Sequence, residues 1–164
     1  MGRNSTKENK NIYQKSREKA GLTREAAAEK MVYVSPDRIE KIENRGMIPH
    51  PDEVLAMAEH YRNPALCNYY CSHECEIGQA YVPEIRLKDV SQITLEMLAN
   101  LNRISKEKER MVEILVDGVI HEDEVKDFRH IIETLDHISI TIDSLKLWLE
   151  HQIADGKLSK SDFE

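Results

Sequence analysis

The side chains best suited to specific chemistry lie between residues 35 and 45, on a segment that the sequence predicts to be a short helix. Ile39 and Ile42 are three positions apart and would face inward. The positions left facing outward are mostly polar or charged: Pro36, Asp37, Arg38, Glu40, Lys41 and Arg45. Several of these side chains can donate or accept hydrogen bonds at base edges. The segment is therefore predicted to be able to read a DNA major groove.

A second short helix is predicted immediately before this one. Thr23 precedes it as a favourable N-cap, and three alanines at residues 26–28 place small side chains at its middle. A brief turn at residues 31–34 then leads to Ser35 and Pro36, an N-cap serine followed by a first-turn proline. Two capped helices separated by a short turn predict a helix-turn-helix arrangement.

Cap residues, apolar positions and a Glu-Asn pair over residues 11–62 resemble the Cro/C1-type (phage-repressor, XRE) helix-turn-helix regulators. The matching segments are Arg17-x-x-x-Gly21-Leu22-Thr23, Ala27-Ala28-Glu29-Lys30, Ser35-x-x-x-Ile39-x-x-Ile42-Glu43-Asn44 and Ile48-Pro49. The resemblance implies a lambda-repressor-like domain of five short helices that binds operator DNA, usually as a two-fold dimer.

The resemblance also implies roles for individual residues. Arg17 and Glu43 match a pair that ties the first helix to the end of the recognition helix, so a structural role is expected for them. Thr23 and Arg24 would begin the helix that lies across the DNA backbone, and the helix starting at Pro36 would enter the groove. The predicted DNA-binding residues are Thr23, Arg24, Ser35, Pro36, Asp37, Arg38, Glu40, Lys41 and Arg45.

The turn before the recognition helix departs from the family pattern. Members of the family commonly have three residues, with a central glycine, between the Lys30 position and the cap serine. This chain has four residues there, Met31 to Val34, and none of them is glycine. The extra residue could rotate the recognition helix or widen the angle between the two helices.

Charge is distributed unevenly along the chain. The net charge is −7, but residues 1–50 contain 11 Lys and Arg against 7 Asp and Glu, which gives +4 there and −11 for the remainder. A basic first part suits contact with phosphate, and an acidic remainder suits solvent or a partner. No apolar run approaches the roughly 18 to 20 residues that span a bilayer, so we expect a cytoplasmic protein that does not enter a membrane.

Cys67, Cys71, His73 and Cys75 lie close together, and these residue types are good zinc ligands. Their spacing is not usual for a structural zinc site, and small apolar side chains on one helix face commonly pack together. We interpret them as buried structural cysteines and expect no metal or other cofactor; a metal or iron–sulfur site and redox sensing are the alternatives. The sequence contains no nucleophile motif, phosphate-binding glycine loop or nucleotide fingerprint, so an enzyme is not expected.

Two long helices that meet near Gly118 are predicted in the second half of the chain. Apolar residues recur at helical spacing from Asp89 to Val116 and from Glu122 to about Ala154. A short connection requires the two helices to pack antiparallel as a hairpin. Steps of three and four residues along the second helix form a heptad seam, which is predicted to be a dimer interface: Phe128, Ile131, Leu135, Ile138, Ile142, Leu145 and Leu149.

The sequence thus predicts an all-α chain with a tail at residues 1–9, a DNA-binding domain at 10–66, a Cys-containing connector at 67–88, a dimerising hairpin at 89–155 and a tail at 156–164. The predicted function is a sequence-specific transcription regulator of bacterial or phage origin that binds double-stranded DNA as a homodimer, on an inverted repeat. One alternative is an interaction module that has lost DNA recognition and binds a protein partner or effector through the hairpin. The other is a Cys-based metal or redox sensor on the same fold.

Overall fold

The computed structural model describes residues 9–163, which divide into two compact units. The first unit contains residues up to 85 together with residues from 149 onward, and the second contains residues 86–148. The predicted tail at residues 1–9 lies outside the described residues except for Asn9. Every regular element of the described part is helical, so the predicted all-α class is confirmed.

Short helices build the first unit, and two long helices follow. The short helices are α1 Ile12–Lys19, α2 Arg24–Met31, α3 Pro36–Glu43, α4 Pro51–His60, α5 Ala65–His73 and α6 Glu76–Tyr81. The long helices are α7 Val90–Leu115 and α8 Val125–Ala154, and the division between units falls within α8, at Leu149. A short-helix region followed by a hairpin of long helices is therefore confirmed.

Helices α2 and α3 begin at the predicted caps. The Thr23 hydroxyl accepts a hydrogen bond from the Ala26 amide at 3.1 Å, and the Ser35 hydroxyl accepts one from the Arg38 amide at 3.2 Å. Gly21 follows the C-cap of α1 with a φ of +72°, a left-handed conformation that glycine adopts without strain. These cap predictions are confirmed.

The core of the first unit is shared by α1 to α5. Its largest buried side chains include Tyr13, Met31, Ile39, Ile42, Met57 and Leu66. Ala27 at the middle of α2 is also fully buried, and α2 packs against both α3 and α4. A small side chain at this position allows those helices to approach α2 closely, as the run of alanines predicts.

The turn between α2 and α3 contains a strained valine. Val32 has a φ of +59° and a ψ of −44°, and the Tyr33 amide donates to the Met31 carbonyl at 2.6 Å. This is the γ-turn with positive φ, which is rare and strained, the more so for a β-branched residue. The Val32 side chain is 89% exposed, so packing does not offset the strain. The turn without glycine is accommodated by backbone strain at this one residue.

Replacing Val32 with glycine should stabilise the protein. Relief of about 1–3 kcal/mol of backbone strain should outweigh the ~0.5–1 kcal/mol that glycine costs in unfolded-chain entropy, for a net gain of about 1 kcal/mol in the free energy of unfolding. Urea denaturation measures this change. Val32→Ala keeps the Cβ at positive φ and serves as the control, with a much smaller gain. A glycine variant less stable than wild type would contradict the assignment of strain.

Helix α6 packs against α5 through Gly78. A Cβ added at this glycine would lie 2.1 Å from the Cys71 carbonyl oxygen, so only glycine allows the observed approach. Cys67, Cys71 and Cys75 are all half-buried free thiols. Burial raises the pKa of the Cys67 thiol, which reduces its thiolate fraction and hence its reactivity.

Helices α7 and α8 pack antiparallel. Asn100 Nδ2 donates to Thr141 Oγ1 at 3.1 Å, and Arg110 Nε donates to Asp127 Oδ2 at 2.8 Å, so the residue number falls on α8 as it rises on α7. The buried and half-buried residues of this inner seam recur at heptad spacing: Ile93, Met97, Asn100, Ile104, Glu107, Met111 and Ile114 on α7, with Ile131, Thr134, Ile138 and Thr141 on α8.

The residues predicted as a dimer seam on α8 are divided between two faces of the helix. Ile131 is only 2% exposed and shares the α7-facing side with Ile138, which is half-buried. Leu135, Ile142 and Leu145 are instead 36–40% exposed, while Phe128 and Leu149 at the two ends are half-buried. Ile131, assigned to a second chain by the sequence pattern, therefore packs within its own hairpin. A heptad position alone does not say which of two neighbouring helices a side chain meets.

Candidate nucleic-acid interface

Glu43, the last residue of α3, is buried and hydrogen-bonded to two arginines. Arg17 of α1 donates through Nε to one carboxylate oxygen and through Nη2 to the other, the second contact at 3.0 Å. Arg24 of α2 donates through Nε to Glu43 Oε2 at 2.9 Å. The side chain of Glu43 is 1% exposed. One buried carboxylate therefore connects the first three helices.

Two further contacts extend this cluster. The Arg17 Nη1 group donates to the Leu22 carbonyl at 2.6 Å, and Arg24 Nη1 donates to Glu40 Oε1 at 2.7 Å. Burial alone would lower the pKa of Arg17, but the hydrogen bond and the charge of Glu43 raise it, so the guanidinium stays charged. We refer to Arg17, Arg24, Glu40 and Glu43 as the arginine–glutamate network. It fixes the orientation of α3 against α1 and α2.

Removal of either member of the buried pair should destabilise the protein strongly. Arg17→Met or Glu43→Gln leaves unmatched buried charge, with an expected cost of about 3–5 kcal/mol by thermal or urea denaturation. Glu43→Gln should cost more than Arg17→Met. In Arg17→Met, Arg24 still neutralises the Glu43 carboxylate, whereas in Glu43→Gln two guanidinium groups lose their partner.

The exposed Arg110–Asp127 pair in the hairpin supplies the control for this prediction. Arg110→Met should leave the melting temperature nearly unchanged, because exposed ion pairs contribute little to stability. Losses below about 1 kcal/mol for both buried-pair variants would show that the network does not hold the helices together.

The side chain of Arg38 on α3 is hydrogen-bonded to α4 and to the loop before it. Its Nε and Nη2 groups donate to the two carboxylate oxygens of Glu53, each at 2.8 Å. Nη2 also donates to the Ile48 carbonyl at 3.1 Å. Glu53 in turn accepts from the His50 amide at 2.7 Å, as part of the capping box of α4. Arg38 therefore holds the loop between α3 and α4 in place.

The Arg38–Glu53 pair predicts an acid-sensitive contribution to stability. The hydrogen bond from Arg38 lowers the pKa of Glu53 below its ordinary value of about 4.3. A depressed folded-state pKa gives stabilisation that is complete above the unfolded-state pKa and is lost as the pH falls through the folded-state value. Glu53→Gln should therefore be less stable than wild type at neutral pH, by about 1.5–3 kcal/mol for a mostly buried pair with charge-assisted hydrogen bonds.

The difference between Glu53→Gln and wild type should shrink as the pH is lowered below about 4. Urea denaturation at several pH values measures it. Glu29→Gln removes an exposed carboxylate from α2 and is the control, with a stability close to wild type at every pH. A Glu53→Gln deficit that does not change with pH would contradict the ion-pair origin.

The remaining predicted DNA-binding residues lie at the exposed side of α3 or at helix starts. Asp37, Lys41 and Arg45 have exposed side chains that form no ion pair with another described residue. Arg45 follows the C-cap of α3 with a φ of +59°. Thr23 and Ser35 act as caps through their hydroxyl groups; Pro36 is half-buried at the first turn of α3.

Comparison with known proteins assigns this part of the chain. The family model described as a helix-turn-helix domain matches residues 14–70. This part of the chain is therefore similar to a helix-turn-helix domain, and the order of α2, a short turn and α3 agrees with that similarity. No curated protein and no solved structure matches the chain.

Within the helix-turn-helix domain, the sequence did not anticipate which arginines are occupied by carboxylates. Arg24 and Arg38 were expected at the DNA, and both are ion-paired, with Glu43 and Glu53. The sequence did show Glu53 as an acid in the first turn of α4. Its pairing with a residue 15 positions away depends on the path of the intervening loop, which no local signal gives.

Over residues 9–163, no group of three or more His, Cys, Asp or Glu side chains is placed to hold a metal ion, and this includes the cluster from Cys67 to Cys75. None of the helices in this part of the chain is sufficiently long and apolar to span a membrane.

Proposed function

We propose that the chain is a sequence-specific DNA-binding transcription regulator of the Cro/C1 type, with α3 as its recognition helix. The observation that carries this proposal is the arginine–glutamate network, which holds α3 at a fixed angle with its outer side exposed. A recognition helix must be held in this way if its side chains are to meet successive base pairs in register.

The exposed side of α3 has the chemistry that a major groove requires. Lys41 can donate to guanine or to a phosphate, and Asp37 can accept from the amino group of cytosine. Arg45, just beyond the end of α3, is suited to a phosphate, a contact that positions the protein without reading sequence. These three exposed residues are our candidates for direct DNA contact.

The arginines that are already ion-paired have a different role in this proposal. Arg24 and Arg38 position α3 instead of contacting bases, because their donors are directed at carboxylates of the same domain. A loss of DNA binding after substitution of Arg38 could not be assigned to a lost DNA contact, because the substitution would also release the loop before α4. Lys41 is the better residue for a test of DNA binding.

Selection of bound sequences from a random pool of duplex DNA, followed by fluorescence anisotropy on the selected site, tests this function. Lys41→Ala should lose about 1–3 kcal/mol of binding free energy, roughly 5- to 150-fold in affinity. Lys126→Ala on α8 removes the same charge from an exposed position of the second unit and should bind like wild type. The proposal fails if no sequence is enriched or if the two variants bind equally well.

We further propose that the regulator acts as a homodimer. Two recognition helices related by a two-fold axis would read an inverted repeat whose half-sites are about 34 Å apart, or a multiple of that distance. The selected sequences should then contain a dyad. A homodimer would also supply phosphate contacts that one short recognition helix does not, which matters for a chain whose net charge is −7.

Protein binding by the first unit is a second candidate function. Large apolar side chains in the turn before α3, in the loop after it and on α4 are between 47% and 89% exposed: Val32, Tyr33, Met47, Ile48 and Leu55. The Tyr33 hydroxyl donates to the Asp52 carbonyl at 3.0 Å, which brings the turn before α3 next to α4. Exposed apolar patches of this kind mark interaction sites. If the first unit binds only protein, the selection from random DNA will enrich no sequence.

A further inference from the structure

One face of the α7–α8 hairpin carries many apolar side chains that are exposed to solvent. The side chains that form it are each 36–67% exposed: Leu98, Leu101, Val112 and Leu115 on α7, with Ile132, Leu135 and Ile142 on α8. We call this set the outer apolar face. Solvated helices normally present charged and polar residues at such positions, so this much exposed aliphatic surface needs a covering partner.

The two stripes lie on the same side of the hairpin. On α7, Leu98, Leu101, Val112 and Leu115 lie about a quarter to a third of a turn from the inner seam, on the side reached by advancing one residue along the helix. On α8 the residues Leu135 and Ile142 are offset from Ile131 and Ile138 in the same rotational sense. Each stripe is thus displaced from the inner seam in the same rotational sense along its own helix. Because the two helices run antiparallel, displacements of the same sense place both stripes on one face of the hairpin.

The opposite face of the hairpin is mostly polar, although Ala99 and Ile140 also lie on it. The positions a quarter turn to the other side of the inner seam carry Gln92, Arg103, Lys106 and Glu113 on α7, with Lys126, His130, Glu133 and His137 on α8. The hairpin is therefore two-sided: only one of its faces requires a partner.

The side of the hairpin that carries the outer apolar face is large enough for a stable dimer interface. Helix α7 has 26 residues and is about 39 Å long at 1.5 Å per residue. Two adjacent helices, each about 10 Å across, give a side of roughly 800 Å², on which Thr94, Ser105 and Lys108 lie among the apolar residues. A standard specific interface buries about 800 Å² on each partner.

We propose that a second copy of this chain covers the outer apolar face, in a two-fold four-helix bundle. A closed dimer requires one patch that is complementary to itself, and a second hairpin offers a face of the same length and the same three- and four-residue spacing of apolar side chains. The inner seam keeps each hairpin closed, and the outer face becomes the core between the two chains. This pairing surface rests on the homodimer of the proposed function, but the pairing itself requires no DNA.

This interface differs from the seam that the sequence suggested. Ile131 is excluded from it because it faces α7 of its own chain. Helix α7 contributes Leu98 and Leu101 to the interface. The sequence pattern did not distinguish these two residues from those of the inner seam. The interface is thus formed by both helices of each hairpin and not by α8 alone.

The oligomeric state of the full chain, measured by sedimentation velocity without DNA, tests the proposal. Wild type should sediment as a dimer at micromolar concentration. The double variant Leu101→Lys with Ile142→Lys places two charges on the outer face of each chain and should raise the dimer dissociation constant by more than about 100-fold. The matched control, Ala99→Lys with His137→Lys, adds lysines at exposed positions away from that face and should remain dimeric.

Each outcome decides the proposal. A monomeric wild type overturns it, as do two lysine variants that both stay dimeric or that both dissociate, because the interface would then lie elsewhere. Circular dichroism checks that the variants keep their helices, and Leu101→Gln with Ile142→Gln repeats the test if the lysines prevent folding. Since no DNA is present, failure of the dimer and failure of DNA binding are observed separately.

Discussion

The structure of the first unit depends on the neutralisation of one buried carboxylate. Glu43 is at the end of α3, and the guanidinium groups of Arg17 and Arg24 reach it from α1 and α2. A buried carboxylate without partners would cost several kcal/mol, so the helices can assemble only in the arrangement that brings both arginines to it. The same contact that closes the core thereby sets the direction in which α3 presents its outer side.

Use of arginines as structural ties limits what α3 can offer to DNA. Arg24 and Arg38 lie near the proposed interface, and both have carboxylate partners within the first unit. Lys41 and Arg45 then supply the exposed positive charge at α3. If α3 reads DNA with so few contacts, the proposed homodimer would strengthen binding, because each contact would be made twice on an inverted repeat.

The hairpin distributes its polar and apolar residues in an unusual way. Polar side chains interrupt the apolar inner seam: the hydroxyls of Thr134 and Thr141 donate to carbonyls one turn earlier in α8, and Glu107 Oε1 lies 3.1 Å from His130 Nε2. Further large aliphatic residues lie on the outer apolar face. A seam of this composition supplies less hydrophobic stabilisation than a leucine-rich one, and assembly of a bundle through the outer apolar face would supply the remainder.

The sequence by itself determined the elements whose signals are local. Caps such as Thr23 and Ser35, the apolar spacing of Ile39 and Ile42, and the long stripes of the second half were sufficient for the helices, their order and the all-α class. These features depend on residues within one or two turns of each other, and hydrogen bonds at that range follow from residue type.

The tertiary structure decided how the charged and apolar side chains are used. Whether Arg38 faces DNA or Glu53, and whether Ile131 or Leu135 faces outward, depends on contacts between elements that are distant in sequence. The strained Val32 is a further case, since the fold imposes a positive φ on a residue that does not favour it. Helical periodicity shows which residues share a face but not which neighbour that face meets, because several packings satisfy the same pattern and only the assembled core selects one.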